Sequence, residues 1–370
     1  MTAQALVDLD AVAANVAALA RLVAPSEVCA VVKADAYGHG AVPVARAAVA
    51  AGAGWLAVAQ VGEGEALRAA GVDAPVLVLS EPAADEMRRV VAAALTPAVY
   101  TRAGIAAANA AACAAGARLG VHLKVDTGMR RVGAEPVDAP GLAALVADLP
   151  ALDLDGVWTH CAVADEPEHE FTATQLARFD AVLARLAADG HQPRIRHAAN
   201  SAVALAHPAG RYDLVRCGIA VYGVAPAPAL ADLLALRPAL SLCSTVTFTK
   251  RVPAGEGISY GLRHTTAHDT VIATVGIGYA DGVRRALGAT GGEVLVRGRR
   301  LPIAGTVTMD QLMVDCGPDT DIEVGDEVVL LGSSGDETIS ADEWAARLDT
   351  ISYEVLCGIG PRVERRWQGG

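Results

Sequence analysis

Eight short, mainly apolar runs, the first rich in β-branched residues, punctuate the first two-thirds of the chain: 28–32, 55–59, 76–79, 95–100, 119–125, 154–160, 194–199 and 214–217. Alanine-rich stretches with helical spacing lie between them, over 42–51, 63–70, 83–94, 104–115, 142–148, 171–189 and 202–206. A strand buried on both faces reads as an unbroken apolar run, whereas an amphipathic helix repeats its apolar residues three and four apart. This alternation predicts a (β/α)8 barrel. An open doubly wound sheet is the alternative, but it usually places a glycine-rich phosphate fingerprint at its first strand–helix turn, and none is present. Ahead of the first run, 7–9 reads as extended. Val12, Val16, Leu19 and Val23 then recur at helical spacing, with Asp10 as N-cap.

Barrel enzymes carry their chemistry at the C-terminal ends of the strands. The polar residues of this chain gather at those ends. The first run stops at Lys33. The fifth leads into Lys124-Val125-Asp126-Thr127-Gly128-Met129-Arg130-Arg131, and the sixth ends in Thr159-His160. The seventh leads to His197-Ala198-Ala199-Asn200-Ser201, and the eighth carries Arg216-Cys217-Gly218-Ile219. Each has an ordinary reading alone: Lys33 as a snorkelling amine, His160 as a core histidine, Arg216 as a rim ion pair. Their convergence from five strands favours an active site. Lys33 stands on a small-residue turn where an amine can condense with a carbonyl group. Burial there would depress its pKa from about 10.4 and leave part of it neutral. Ser201 at a helix start, with Gly218 and Ile219 after the eighth strand, suits a phosphate dianion.

The 370 residues suggest two domains, and 53% apolar content suffices for one large core and a smaller one. No apolar run has the length of a membrane span. A net charge of −12 argues against a general nucleic-acid binder, which polyanions would repel. Cys29, Cys113, Cys161, Cys217, Cys243, Cys316 and Cys357 are scattered and never form a CxxC pair. They read as thiols in a reducing cytoplasm, with neither a disulfide frame nor a metal site. Asp8, Asp10 and helical periodicity in the first twenty residues do not read as a secretory signal, so the expected location is cytoplasmic.

After Leu236-Arg237-Pro238 the helical period fades. Strand patterns follow at 241–248, 270–276, 294–296, 301–308, 312–315 and 328–331, with one convincing helix at 342–348. The boundary falls near 235, giving a barrel domain over 1–235 and a β-rich domain over 236–370. The acidic, turn-rich stretch 315–326 reads as solvated surface. Three short motifs stand out in this part: Ile258-Ser259-Tyr260-Gly261, Gly276-Ile277-Gly278-Tyr279-Ala280-Asp281-Gly282 and Met309-Asp310-Gln311. Without further context, a tyrosine between glycines is a packed ring with a wet hydroxyl.

The stretch Val31-Val32-Lys33-Ala34-Asp35-Ala36-Tyr37-Gly38-His39-Gly40 resembles the pyridoxal-phosphate lysine signature of bacterial alanine racemases, fold-type III enzymes. The resemblance covers nearly the whole chain. It implies that Lys33 carries pyridoxal 5'-phosphate and is one catalytic base. Tyr37, Asn200, Ser201, Gly218, Ile219 and Tyr353 (in Ser352-Tyr353-Glu354) become cofactor contacts. His160 stacks on the cofactor ring and touches Arg216. Arg216 faces the pyridine nitrogen, where a permanent cation discourages ring protonation and curbs side reactions. Arg131 meets the phenolic oxygen and the substrate carboxylate. In related racemases the lysine matching Lys124 is carbamylated and holds that arginine; an unmodified strand-end lysine is the alternative. Tyr260 matches the second base, which reaches the active site of the other subunit of a homodimer. Tyr279 and Met309 line that site, with Asp310 beside them. Asp165 and Arg285 belong to the substrate entryway. The substrate implied is alanine, and the implied role is supply of D-alanine for peptidoglycan.

The stretch Ala304-Gly305-Thr306-Val307-Thr308-Met309 departs from the family pattern, with Thr306 in place of an entryway arginine. That change should widen or neutralise the channel. The nearest rivals are a racemase for another amino acid and one of broad specificity. A basic-amino-acid decarboxylase on the same plan would want an acidic residue at Arg216 and a cysteine near Met309, and both are missing. A non-catalytic, single-barrel cofactor binder would lack the β-rich third and Tyr260.

Overall fold

The computed structural model describes residues 3–370, which divide into two compact units. One comprises Ala11–Ala36 and Ala41–Arg237. The other comprises residues 3–10, Tyr37–Gly40 and Pro238–Gly370.

The chain starts with β1 (Gln4–Asp8), which belongs to the second unit. The first unit is a ring of eight parallel strands: β2 (Glu27–Val31), β3 (Trp55–Val58), β4 (Val76–Val78), β5 (Thr96–Val99), β6 (Leu119–Lys124), β7 (Leu152–Trp158), β8 (Ile195–His197) and β9 (Leu214–Cys217). They pair in the order β8-β7-β6-β5-β4-β3-β2-β9. The Asp213 N–H donates to the Arg196 carbonyl (3.0 Å) and the Arg216 N–H to the Ala199 carbonyl (2.9 Å), which ties β9 back to β8. All eight expected strands are present. Ala30, Leu56, Leu77, Ala98, Leu123, Val157 and Val215 are fully buried, and hiding each leucine or valine contributes about 1.5–3 kcal/mol.

The helices between strands use alanine, the residue with the highest intrinsic helix preference. Arg102–Ala115 is capped by Thr101, whose Oγ1 accepts from the Gly104 N–H at 2.9 Å, and ends on Gly116 at φ 62°. The helix expected over 83–94 is shorter, Met87–Ala92. Pro82 and a turn closed by the Glu86 N–H on the Ala83 carbonyl occupy its expected start. Asp10 is not an N-cap. The helix is Leu9–Val23, and Asp10 lies inside its first turn, where a carboxylate still favours the dipole.

The second unit is built on β10 (Leu240–Val252). Its first half pairs with β1 and with Glu327–Ser334, and its second half pairs with Thr270–Val275. Leu312–Asp315 extends the sheet beyond Thr270–Val275. The strand expected over 301–308 stops at Pro302. Proline removes a donor, and Gly305 at φ 80° then turns the chain away. Elements not anticipated include the helix Ser352–Cys357 and the strand Glu364–Gln368, which lies parallel to β1 at the sheet edge. Among the described residues no helix is long and apolar enough to cross a membrane.

Candidate active site

Lys33 leaves β2 on an unusual turn. Ala34, Asp35, Ala36 and Tyr37 all have φ between 51° and 55°, a left-handed turn without glycine. Each such residue costs roughly 1–2 kcal/mol, so neighbours must hold it. Glu63 ties the start of the turn to the next strand end. Its Oε1 accepts from the Ala34 N–H at 2.6 Å, and its Oε2 accepts from Ala59 N–H (2.8 Å) and Gln60 N–H (3.0 Å). Asp35 Oδ1 accepts from the Ala41 N–H at 2.7 Å. Lys33 is half-buried at the end of this clamp.

Arg216 is 3% exposed and donates to the Thr159 carbonyl (2.8 Å), the Ala198 carbonyl (3.1 Å), His197 Nδ1 (2.9 Å) and His160 Nδ1 (3.3 Å). No carboxylate faces it among the described residues. Burial pulls its pKa down to about 10, so it stays protonated at neutral pH. Its guanidinium lies 4.6 Å from the centre of the Trp158 ring, and Lys124 Nζ lies 4.4 Å from the same ring. Lys124 is 4% exposed. Desolvation, then Arg131 and Arg216, lower its pKa to about 7, and Asp126 opposes them. His160 is held well below the ordinary imidazole range by burial and by Arg216, Arg131, Lys124 and Lys33. Basic groups, Lys124 among them only in part protonated near neutral pH, therefore surround one neutral imidazole. Such a donor set fits a polyanionic ligand.

At the next strand ends, Asn200 caps the helix Ser201–Ala206, its side chain accepting from the Val203 N–H at 2.9 Å. Ser201 is the first helical residue. Its Oγ accepts from the Gly218 N–H at 3.0 Å, which ties the turn before Ile219 to the helix start and leaves the hydroxyl hydrogen to be donated. Asp165 is exposed on the loop after β7. Arg131 is exposed and His160 half-buried, whereas Lys124 and Arg216 are buried.

The second unit carries the other sequence-marked residues. The Tyr37 and Tyr353 rings are 6.0 Å apart, and burial pushes the Tyr37 phenol up. Trp367 Nε1 donates to the His39 carbonyl (2.8 Å) and Arg365 Nε to the Gly38 carbonyl (3.2 Å), so the unanticipated C-terminal strand braces the turn after Tyr37. Tyr260 is 72% exposed. The Tyr279 N–H donates to the Thr308 carbonyl (2.9 Å) and the Ala280 N–H to the Met309 carbonyl (3.0 Å). Thr306 links the Tyr260 segment to the same loop, so Tyr260, Tyr279 and Met309 form one exposed group. Asp310 pairs with Arg362 at 2.8 Å, and Arg285 is exposed in a short turn nearby in sequence. A cavity of about 580 Å³ lies beside Tyr260, lined by Ile258, Ser259, Ile272, Thr308 and Met313.

Residues 7–226 match the family "Alanine racemase, N-terminal domain", and residues 239–367 match "Alanine racemase, C-terminal domain". The chain belongs to the alanine racemase family. It is 49% identical to the alanine racemase of Symbiobacterium thermophilum over 98% of this chain and 96% of that one. It is 45% identical to that of Thermobifida fusca, over 99% and 98%. Among solved structures, alanine racemase from D-cycloserine-producing Streptomyces lavendulae superposes with a TM-score of 0.95 at 42% identity, over 100% of this chain and 98% of that one. Membership makes this a fold-type III pyridoxal-phosphate enzyme, and the cationic cluster fits that cofactor's phosphate and phenolic oxygens.

Several alanine-racemase residues of the barrel escaped sequence reasoning. Glu63 clamps the lysine turn. Trp158 lies beneath two cations. Gln175 donates to the His160 carbonyl (3.0 Å) and accepts from the Ala162 N–H (2.8 Å). His122 contacts His197. Of these only His197 lay within a marked stretch, and no role was read for it.

Proposed function

We propose that this enzyme interconverts L- and D-alanine with two bases, Lys33 and Tyr260 of the partner subunit, in a homodimer with shared sites. The observation that carries this reading is Arg216: a buried cation, without a carboxylate partner, at the strand-end position expected to face the pyridine nitrogen. Bound pyridoxal phosphate supplies an electron sink that acidifies the substrate α-proton. Lys33 holds the cofactor and, at Nζ, takes the α-proton from D-alanine. The partner subunit's Tyr260, at Oη, takes it from L-alanine, and whichever base is still protonated returns a proton to the opposite face. Two positioned bases are worth roughly 100- to 10,000-fold in rate.

Tyr37, Tyr353, Asn200, Ser201, Gly218 and Ile219 would hold the phosphate, and His160 would cover the ring. Arg131 and the Met309 N–H would hold the substrate carboxylate, with Tyr279 and Asp310 beside them. Asp165 and Arg285 would line the entryway. Exposure of Tyr260, Leu262, Tyr279 and Met309 on one unit supports a surface completed by a second copy. A cytoplasmic location and supply of D-alanine for the cell wall fit this reading. The test is the visible absorbance of the purified protein followed by D-alanine formation in the same sample. A cofactor band lost in Lys33→Ala, together with racemisation, is expected. A band without racemisation of alanine would overturn the substrate.

A further inference from the structure

Arg216 is one end of a line of side chains that reaches a partly exposed carboxylate. Its Nη1 donates to His197 Nδ1 at 2.9 Å. His197 Nε2 lies 2.9 Å from His122 Nδ1, and His122 Nε2 lies 3.6 Å from Asp155 Oδ2. The last separation exceeds a hydrogen bond, and among the described residues no hydrogen-bond partner reaches His122 Nε2.

A guanidinium only donates. His197 Nδ1 is therefore the acceptor, the His197 proton sits on Nε2, and His122 Nδ1 accepts it. The His122 proton is left on Nε2, facing Asp155. Starting from the other end gives the same order, because an ionised carboxylate only accepts and would repel a lone pair on His122 Nε2. Two chemically unrelated ends demand one arrangement of protons. Burial lowers both imidazoles, which keeps the rings neutral, as that order requires.

Strand β7 is shaped for this line. Its register with β6 shifts between Val121 and His122, which pair with Leu154 and Gly156, so Asp155 is the unmatched residue of a bulge. Bulges re-aim side chains beside active sites. At Gly156 a Cβ would meet the His122 ring at 2.7 Å, so the absent side chain makes room for the imidazole. Arg194 holds both Asp155 oxygens at 2.9 Å. Trp158 stacks on His197 with ring centroids 5.4 Å apart and planes 8° from parallel.

We infer that Asp155, acting through His122 and His197, is a positioning residue for Arg216: the line locks the guanidinium in one orientation and draws on its charge from behind. The carboxylate stands two imidazoles away from Arg216. It biases the cation without offering the cofactor a partner that would favour a protonated ring. The position of Arg216 opposite the ring nitrogen rests on the function proposed above, whereas the proton order does not.

The experiment is nitrogen-15 NMR of histidine-labelled holoenzyme, joined to kinetics of Asp155→Asn. Asp153→Asn is the control, because Asp153 lies on the same strand and pairs with the surface residue Arg118. Both imidazoles are expected neutral with the proton on Nε2. Asp155→Asn is expected to lower kcat about tenfold or more, with KM within about twofold, while Asp153→Asn changes neither. A proton on Nδ1 of either ring, or an Asp155→Asn enzyme that behaves like Asp153→Asn, would overturn the proposal. If Asp155→Asn does not fold, the spectrum of the unmodified holoenzyme decides alone. The expected spectrum from a protein that does not racemise alanine would support the proton order and sink the functional reading.

Discussion

The Thr306 hydroxyl donates to the Tyr260 carbonyl across 2.9 Å, and the Ser259 hydroxyl donates to the Thr306 carbonyl at 2.7 Å. This pair of bonds holds Ser259 at φ 62°, ψ −173°, a region that costs roughly 1–3 kcal/mol for a residue with a side chain. Thr306 is buried. Where an entryway arginine was expected, the chain has a residue that fixes the backbone of the proposed second base. Thr306→Val keeps the shape and removes the donor. It should cost about 1 kcal/mol in urea unfolding and lower kcat without changing cofactor affinity. Unchanged kcat would show that the bond does not position Tyr260.

Glu63 offers a separate test at the other base. Ala34 to Tyr37 keep their left-handed turn against an intrinsic preference for right-handed backbone, and the Ala34 N–H donates to a carboxylate that the Ala59 and Gln60 N–H groups fix in place. Glu63→Ala should release the turn and weaken pyridoxal-phosphate binding by about tenfold or more, the scale of one to two lost charge-assisted bonds. Equilibrium dialysis of the cofactor measures this directly. Unaltered affinity would assign the clamp to the helix start alone.

Lys124 has a defined pH dependence. With its pKa lowered to about 7, the amine is mostly protonated at about pH 6 and mostly neutral at about pH 8. Only the neutral amine has the lone pair that attacks carbon dioxide. Carbon-13 bicarbonate should therefore give a carbamate resonance on Lys124 at the higher pH that fades at the lower one. Lys124→Ala should lack it at both.

Stability should fall on mild acidification. Burial depresses the folded-state pKa of His122, His160 and His197. In the unfolded chain these rings bind protons below about pH 6.5. Above that value neither state binds them. Below it the unfolded state binds more, so stability is lost as pH falls toward the folded values. Urea midpoints at about pH 7.5 and 5.5 measure the loss, and equal midpoints would mean the rings are charged in the fold.

Much of the barrel was legible because strands buried on both faces cannot be polar, and β3, β4 and β9 are apolar or buried at every position. The Glu364–Gln368 strand was invisible for the opposite reason: an edge strand of sequence Glu-Arg-Arg-Trp-Gln carries the charges that edges need. The left-handed turn could not be read from Ala-Asp-Ala, residues that favour right-handed backbone, because a bond from its first N–H goes to Glu63, 29 residues away. His122 was not marked in the sequence. Its meaning lies in its neighbours across the barrel, which spacing along one strand does not reveal.

The most direct measurement mixes two disabled proteins, Lys33→Ala and Tyr260→Ala, under conditions that let subunits exchange. If each site combines Lys33 of one subunit with Tyr260 of its partner, a mixed dimer contains one intact site and one site lacking both bases. With random reassortment of equal amounts, alanine racemisation should return to about a quarter of the unmodified level, as two-fold symmetry requires. A mixture as inactive as its components, with exchange demonstrated, would contradict the shared site and with it the two-base account.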